Sequence, residues 1–84
     1  MAVDMSRVEI MLAIQRSKSG PHRLAREEAI ARNLFRDDVY DDLNKLRRDG
    51  YAKHVSRGKQ SWCNGWVLTR KGKRELEIVN EHAN

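Results

Sequence analysis

The side chains best suited to bind a partner in this 84-residue sequence are cations, and they are concentrated in one segment. Residues 45–74 contain ten Lys or Arg and a single Asp, whereas residues 1–44 have a net charge of −1 and residues 75–84 one of −3. Guanidinium and ammonium groups gathered in this way attract polyanions, and nucleic acid is the polyanion that fits such a block best. The plainer alternative is a basic surface that only keeps the chain in solution.

Other chemistries have no matching pattern in the sequence. The three histidines have no spacing with a carboxylate that would hold a metal ion, and Cys63 is the only cysteine. Cys63 also lacks the third group and the oxyanion motif that a cysteine nucleophile needs. The acidic residues within 37–42 are not followed by the glycine and terminal Glu of a calcium-binding loop. We therefore expect no enzymatic activity, no metal and no cofactor.

The length and the apolar runs limit the fold and the location of the chain. A sequence of 84 residues allows one domain, which we place at residues 1–84. The longest apolar run, residues 10–14, is too short to cross a bilayer, and acidic residues interrupt the first segment where a signal peptide would be apolar. These features predict a cytoplasmic protein that does not contact a membrane.

Hydrophobic periodicity predicts three helices in the first half of the sequence, at residues 7–17, 25–34 and 37–48. The third has the strongest pattern, because its apolar residues recur at i, i+4 and i+7. Four Asp in its first two turns and three basic residues in its last turn complement the helix dipole. Gly50 stands where a C-cap glycine is expected.

Alternating apolar and polar residues after Gly50 predict two strands and a final helix. The first strand starts at Tyr51, a polar turn covers residues 57–61, and the second strand places Trp62 on the same face as Trp66. Gly65 is expected to mark a bulge in that strand. The closing helix covers residues 70–81, with Thr69 as its N-cap and Gly72 weakening its first turn.

Three sequence patterns follow one another along the chain. They are Ile30-Ala31-x-x-Leu34, Val39-x-x-x-Leu43-x-x-Leu46-x-x-x-Gly50-Tyr51 and Trp66-Val67-Leu68-Thr69-x-x-Gly72. Together they resemble the winged helix-turn-helix family over about residues 8–79, and the middle pattern is most similar to its PadR-type branch. The resemblance implies an α+β, mainly α fold with three helices, a two-stranded β-hairpin wing and a C-terminal helix. It also implies a transcriptional regulator that binds double-stranded DNA, usually as a homodimer.

In such a fold, recognition helix 37–48 enters the major groove, and wing 56–64 reaches the adjacent backbone or minor groove. Asn44 has the groups to pair with adenine, and Arg48 or Lys45 those to pair with guanine. Cations in the wing turn and at the start of the last helix would face phosphates. The candidate DNA-binding residues are Tyr40, Asn44, Lys45, Arg48, Arg57, Lys59, Arg70, Lys71 and Lys73.

The acidic start of the third helix departs from the family, whose members generally place neutral or basic residues there. Either the helix enters the groove by its C-terminal half, or this face binds a protein. The second option gives an alternative function: a winged-helix interaction module in a larger assembly, with acidic helix 37–48 contacting a basic partner. A third option is single-stranded nucleic acid, with Trp62 stacking on a base. Trp62 is otherwise a minor-groove wedge, a dimer contact or a lid over the core.

The first helix is apolar on two sides, because Ile10 and Ile14 lie nearly opposite its other apolar residues on a helical wheel. A second apolar face needs a second neighbour, either the C-terminal helix or another copy of the chain. We expect a homodimer that uses Ile10, Ile14 and the C-terminal helix with Ile78.

Overall fold

The computed structural model describes the backbone of residues 5–83 and the side chains of residues 7–79. These residues form a mainly helical α+β fold with one four-stranded antiparallel sheet in the order β1-β2-β4-β3. The described chain has no helix that is long and apolar enough to span a membrane. In chain order the elements are α1 (Met5–Arg16), β1 (Lys18–Ser19), β2 (Leu24–Ala25), α2 (Glu27–Asn33), α3 (Tyr40–Arg48), β3 (Ala52–Ser56), β4 (Asn64–Leu68) and α4 (Arg70–Ala83).

Helix α1 runs through the middle of the domain and contacts α2, α3 and α4 as well as strands β2 and β4. This position buries both of its apolar faces within the chain. Ile10 is 2% exposed and Ile14 0%, so the expected dimer interface through these two side chains is wrong. Helix α1 is apolar on two sides because other elements of the same domain pack against both of these sides.

Helix α3 carries the apolar stripe that its sequence predicts, with Val39, Leu43 and Leu46 buried in the core. It begins at Tyr40 instead of residue 37, because the Asp38 Oδ1 atom accepts a hydrogen bond of 2.9 Å from the Tyr40 N–H. That bond holds the chain in a turn ahead of the helix.

Helix α2 also begins later than its sequence pattern predicts, because the chain first forms a strand. Ala25 belongs to β2, where it pairs with Trp66 of β4. The first strand pair, β1 with β2, was not expected from the sequence. Gly65 does not mark a bulge: it pairs with Val55 in regular register. A Cβ at Gly65 would lie 2.7 Å from the Cβ of Leu24, so glycine is needed there to let β2 approach β4.

The two tryptophans have different environments. Trp66 lies on β4, is 4% exposed and belongs to the core. Trp62 does not share a strand face with it, because Ser61–Cys63 forms a short 3₁₀ turn before β4 begins. Trp62 is 47% exposed.

Thr69 forms the expected N-cap of α4. Its Oγ1 atom accepts the Gly72 N–H at 3.2 Å and donates to the Gly50 carbonyl oxygen at 2.6 Å. Gly50 has φ +85°, as a C-cap glycine after α3 requires. Gly72 has a packing role, because a Cβ there would clash with the Tyr51 carbonyl oxygen. These contacts fix the start of α4 against the end of α3.

Candidate nucleic-acid interface

Lys71 joins the basic end of α3 to the basic start of α4. Its Nζ donates a hydrogen bond of 2.9 Å to the carbonyl oxygen of Asp49, the residue that follows α3. The same ammonium lies 4.5 Å from the centroid of the Tyr51 ring, and the guanidinium of Arg7 lies 4.7 Å from that centroid. The last turn of α3 and the first turn of α4 therefore meet at one end of the domain, although about twenty residues separate them in the chain.

The predicted residues of α3 lie on its outer side. Tyr40, Asn44 and Arg48 follow one another at i, i+4 and i+8, and Lys45 lies beside them. Tyr40 is 53% exposed, Lys45 and Arg48 are also exposed, and Asn44 is half-buried. This stripe carries two cations and an amide toward the end of α3 that lies beside α4.

The start of α4 adds a second group of exposed cations. Arg70, Lys71 and Arg74 line a surface pocket of about 230 Å³. Lys73 is exposed as well. Arg74, another of the cations that the sequence places at the start of the last helix, follows Arg70 by one helical turn.

The hairpin turn, residues 57–60 between β3 and the 3₁₀ turn, carries the remaining two candidates. Arg57 and Lys59 are exposed, and the backbone N–H of Arg57 donates to the Cys63 carbonyl oxygen at 2.9 Å. Gly58 lies close to Cys63, since a Cβ on it would be 3.2 Å from the Cys63 Sγ atom. Strand β3 is about 13 Å long. Arg57 and Lys59 are therefore separated from the cations of α3 and α4 by the length of this strand.

Two of the four acidic side chains near the start of α3 have local partners. Asp42 accepts a salt bridge of 2.6 Å from Arg36, and Asp38 binds the Tyr40 backbone. None of the nine candidate residues takes part in a salt bridge with another residue of the described side chains, 7–79; the pairs found there are Arg7–Glu75, Arg26–Glu28 and Arg36–Asp42. The positive charge of the candidate residues is thus not neutralised by carboxylates within that range.

The described side chains, which exclude His82, contain no candidate metal site. No three or more of their His, Cys, Asp and Glu residues are grouped so that they could hold a metal ion.

No protein-family model and no curated protein matches the sequence. The fold is similar to that of a solved structure, a candidate DNA-binding protein from Ralstonia eutropha JMP134, with a TM-score of 0.67 and 16% sequence identity. The similarity covers 93% of this chain and 98% of that one. At this level of identity the likeness establishes a shared fold, which extends over nearly all of both chains.

Proposed function

We propose that this protein is a winged helix-turn-helix transcriptional regulator that binds double-stranded DNA. Helix α3 would be its recognition helix and the β3–β4 hairpin its wing. The observation that carries the proposal is the set of exposed cations on α3, α4 and the hairpin turn, which have no carboxylate partner within residues 7–79. We expect it to act in the cytoplasm by binding alone, without catalysis or a cofactor.

The charge distribution along α3 favours entry into the major groove by its C-terminal half. Lys45 and Arg48 lie in that half, and the acidic residues lie at the opposite end. Arg48 has the donor geometry for guanine, and Asn44 has the donor and acceptor for adenine. Because Asp38 accepts a bond from the Tyr40 backbone and Asp42 pairs with Arg36, these two carboxylates have a structural role that does not require DNA.

The cations of α3 and α4 form one cluster, and Arg57 and Lys59 of the hairpin turn form a second. The distance between the two clusters is close to the width of the major groove. The major groove is about 12 Å wide, and β3 is about 13 Å long. With α3 in the groove, the cations of α4 would contact the backbone beside it. Arg57 and Lys59 would reach the backbone or the minor groove beyond it.

A duplex from the promoter region of the protein's own gene provides the test, with fluorescence anisotropy as the readout. If about six phosphates are neutralised, affinity should fall by roughly three decades between 50 and 200 mM salt. The double variant Arg57→Glu with Lys59→Glu should reduce both the affinity and its salt dependence. Its control, Arg16→Glu with Arg32→Glu, changes the net charge equally at exposed positions outside the candidate site and should retain binding. Binding that is absent, or that ignores salt, would refute the proposal.

A homodimer on two half-sites is part of this proposal, and it needs a surface other than Ile10 and Ile14. Of the expected interface, Ile78 on α4 is 44% exposed. We propose that two α4 helices pair through Ile78. Sedimentation of the Ile78→Glu variant tests this pairing: the variant should be monomeric where the unmodified protein is dimeric.

A protein-interaction module is the second candidate function, because Phe35 is 97% exposed in the turn before α3. Exposed Asp37 and Asp41 follow it closely, so this surface would suit a basic protein segment with an apolar side chain. The protein would then bind an arginine-rich peptide. The Phe35→Ser variant should lose affinity for this peptide. Charge reversal at Arg57 and Lys59 should leave the affinity for the peptide unchanged. Peptide binding without duplex binding would favour this function over the first.

A further inference from the structure

Trp62 forms an aromatic stack with a residue that is forty positions away in the sequence. Its ring lies nearly parallel to the imidazole of His22, with an interplanar angle of 9° and a centroid separation of 5.7 Å. His22 belongs to the turn between β1 and β2, and Trp62 to the 3₁₀ turn before β4. The stack therefore connects two surface turns that are far apart in the chain.

The stack leaves much of the indole exposed to solvent. Trp62 is 47% exposed although the His22 ring lies beside it. Trp62 is absent from the core cluster, which contains Trp66 instead. A role in covering the core therefore does not account for its position.

Three exposed cations lie close to His22 or Trp62 along the chain. Arg57 and Lys59 lie in the adjoining hairpin turn, and Arg23 follows His22 directly; all three are exposed. An aromatic face flanked by cations is the combination that proteins use to hold an unpaired nucleotide, with the base on the ring and the phosphates on the cations. Stacking on an aromatic ring does not select a nucleotide sequence, because every base has a π-face.

We propose that the exposed indole of Trp62 stacks on one unpaired nucleobase, whose neighbouring phosphates contact Arg57 and Lys59. This inference rests on the proposed binding of DNA, and it adds a site that groove and backbone contacts do not require. The base has two sources with the same chemistry: a single strand, or a base step of a duplex that the protein opens. His22 is a positioning residue, which keeps the indole plane in place and does not touch the base.

Intrinsic fluorescence tests the proposal, since the protein has two tryptophans and Trp66 is buried. The probes are an eight-nucleotide thymidine strand, a duplex with one bulged base and the same duplex without the bulge. Stacking on Trp62 should quench its emission with the first two probes. The Trp62→Leu variant should lose this quenching and bind both probes about 5- to 150-fold more weakly. The relative affinities for the strand and the bulged duplex then identify the source of the base.

Variants at His22 separate positioning from packing alone. His22→Ala removes the ring behind the indole and should weaken quenching by the thymidine strand, whereas His22→Phe should restore it. A loss of binding that His22→Phe does not restore would refute the positioning role. Circular dichroism of each variant verifies that it is folded.

The outcomes distinguish this inference from the proposed function. Salt-dependent binding of the perfect duplex without quenching by the strand or the bulged duplex would overturn the base site and leave the regulator in place. Quenching by the single strand without binding of the duplex would support the base site and overturn duplex recognition. If Trp62→Leu binds all three probes as the unmodified protein does, the base site is wrong.

Discussion

Replacing Phe35 with Asn should make the protein more stable. Phe35 adopts φ +55° in the turn between α2 and α3, and its N–H donates to the Arg32 carbonyl oxygen at 3.1 Å. A left-handed backbone costs an L-residue roughly 1–2 kcal/mol, because its Cβ crowds the carbonyl oxygen. Asn adopts this conformation much more readily than a bulky residue does. The Phe35 ring is 97% exposed, so removing it takes almost no apolar surface out of the core.

The expected gain is about 1 kcal/mol in the free energy of unfolding, since Asn relieves most of the backbone cost. In a domain of this size, such a gain raises the melting temperature by about 4–8 °C. Phe35→Gly should gain less, because glycine gives the unfolded chain extra freedom that costs roughly 0.5–1 kcal/mol on folding.

Urea unfolding followed by circular dichroism measures the effect, with an unchanged slope showing that the unfolded surface is the same. Phe35→Leu is the matched control: it removes the aromatic ring but keeps the left-handed cost, and its midpoint should not move. If Asn leaves the midpoint where it is, or lowers it, then the turn is not strained at Phe35 and the reasoning is wrong.

Two further predictions concern the junction that places α4. Gly72→Ala should destabilise the protein by about 1–3 kcal/mol, because the new methyl group meets the Tyr51 carbonyl oxygen and the helix has to move; thermal unfolding measures this, and an unchanged melting temperature would contradict it. Thr69→Ala removes the cap of α4 and the bond to the Gly50 carbonyl oxygen, and should cost about 1–2 kcal/mol in urea unfolding. Thr69→Ser keeps the hydroxyl and should recover most of that loss.

The parts of the fold that the sequence predicts are those whose own side chains carry the signal. The stripe of Val39, Leu43 and Leu46 and the hydroxyl of Thr69 each specify a local structure, and both are found. The strand pair β1–β2 has two residues in each strand, too few for an alternating pattern. A helical wheel shows that Ile10 and Ile14 form an apolar face, but it does not show that the same chain covers that face.

The candidate site also has parts that the sequence reveals and parts that depend on tertiary packing. The basic block of residues 45–74 is visible in the composition, and the structure places its cations on α3, β3, the hairpin turn and α4. The stack of His22 on Trp62 is not visible, because it depends on a strand pair that the sequence does not reveal. The contact of Lys71 with Asp49 likewise depends on how α4 packs against the end of α3.

Lys71 differs from the other candidate cations because the fold already uses its ammonium group. It binds the Asp49 carbonyl oxygen and lies over the Tyr51 ring, so the Lys71→Met variant should lose stability by about 1 kcal/mol as well as affinity for DNA. Arg57, Lys59 and Lys73 have no such contact within the described residues, and their substitution should lower affinity alone. Urea unfolding and duplex binding should therefore be measured on the same variants. Only Lys71→Met should lower both the stability and the affinity, and the other variants should lower the affinity alone. If Lys71→Met loses affinity while its stability is unchanged, the contact with Asp49 does not hold α4 against α3. Other contacts would then bring the basic ends of the two helices together.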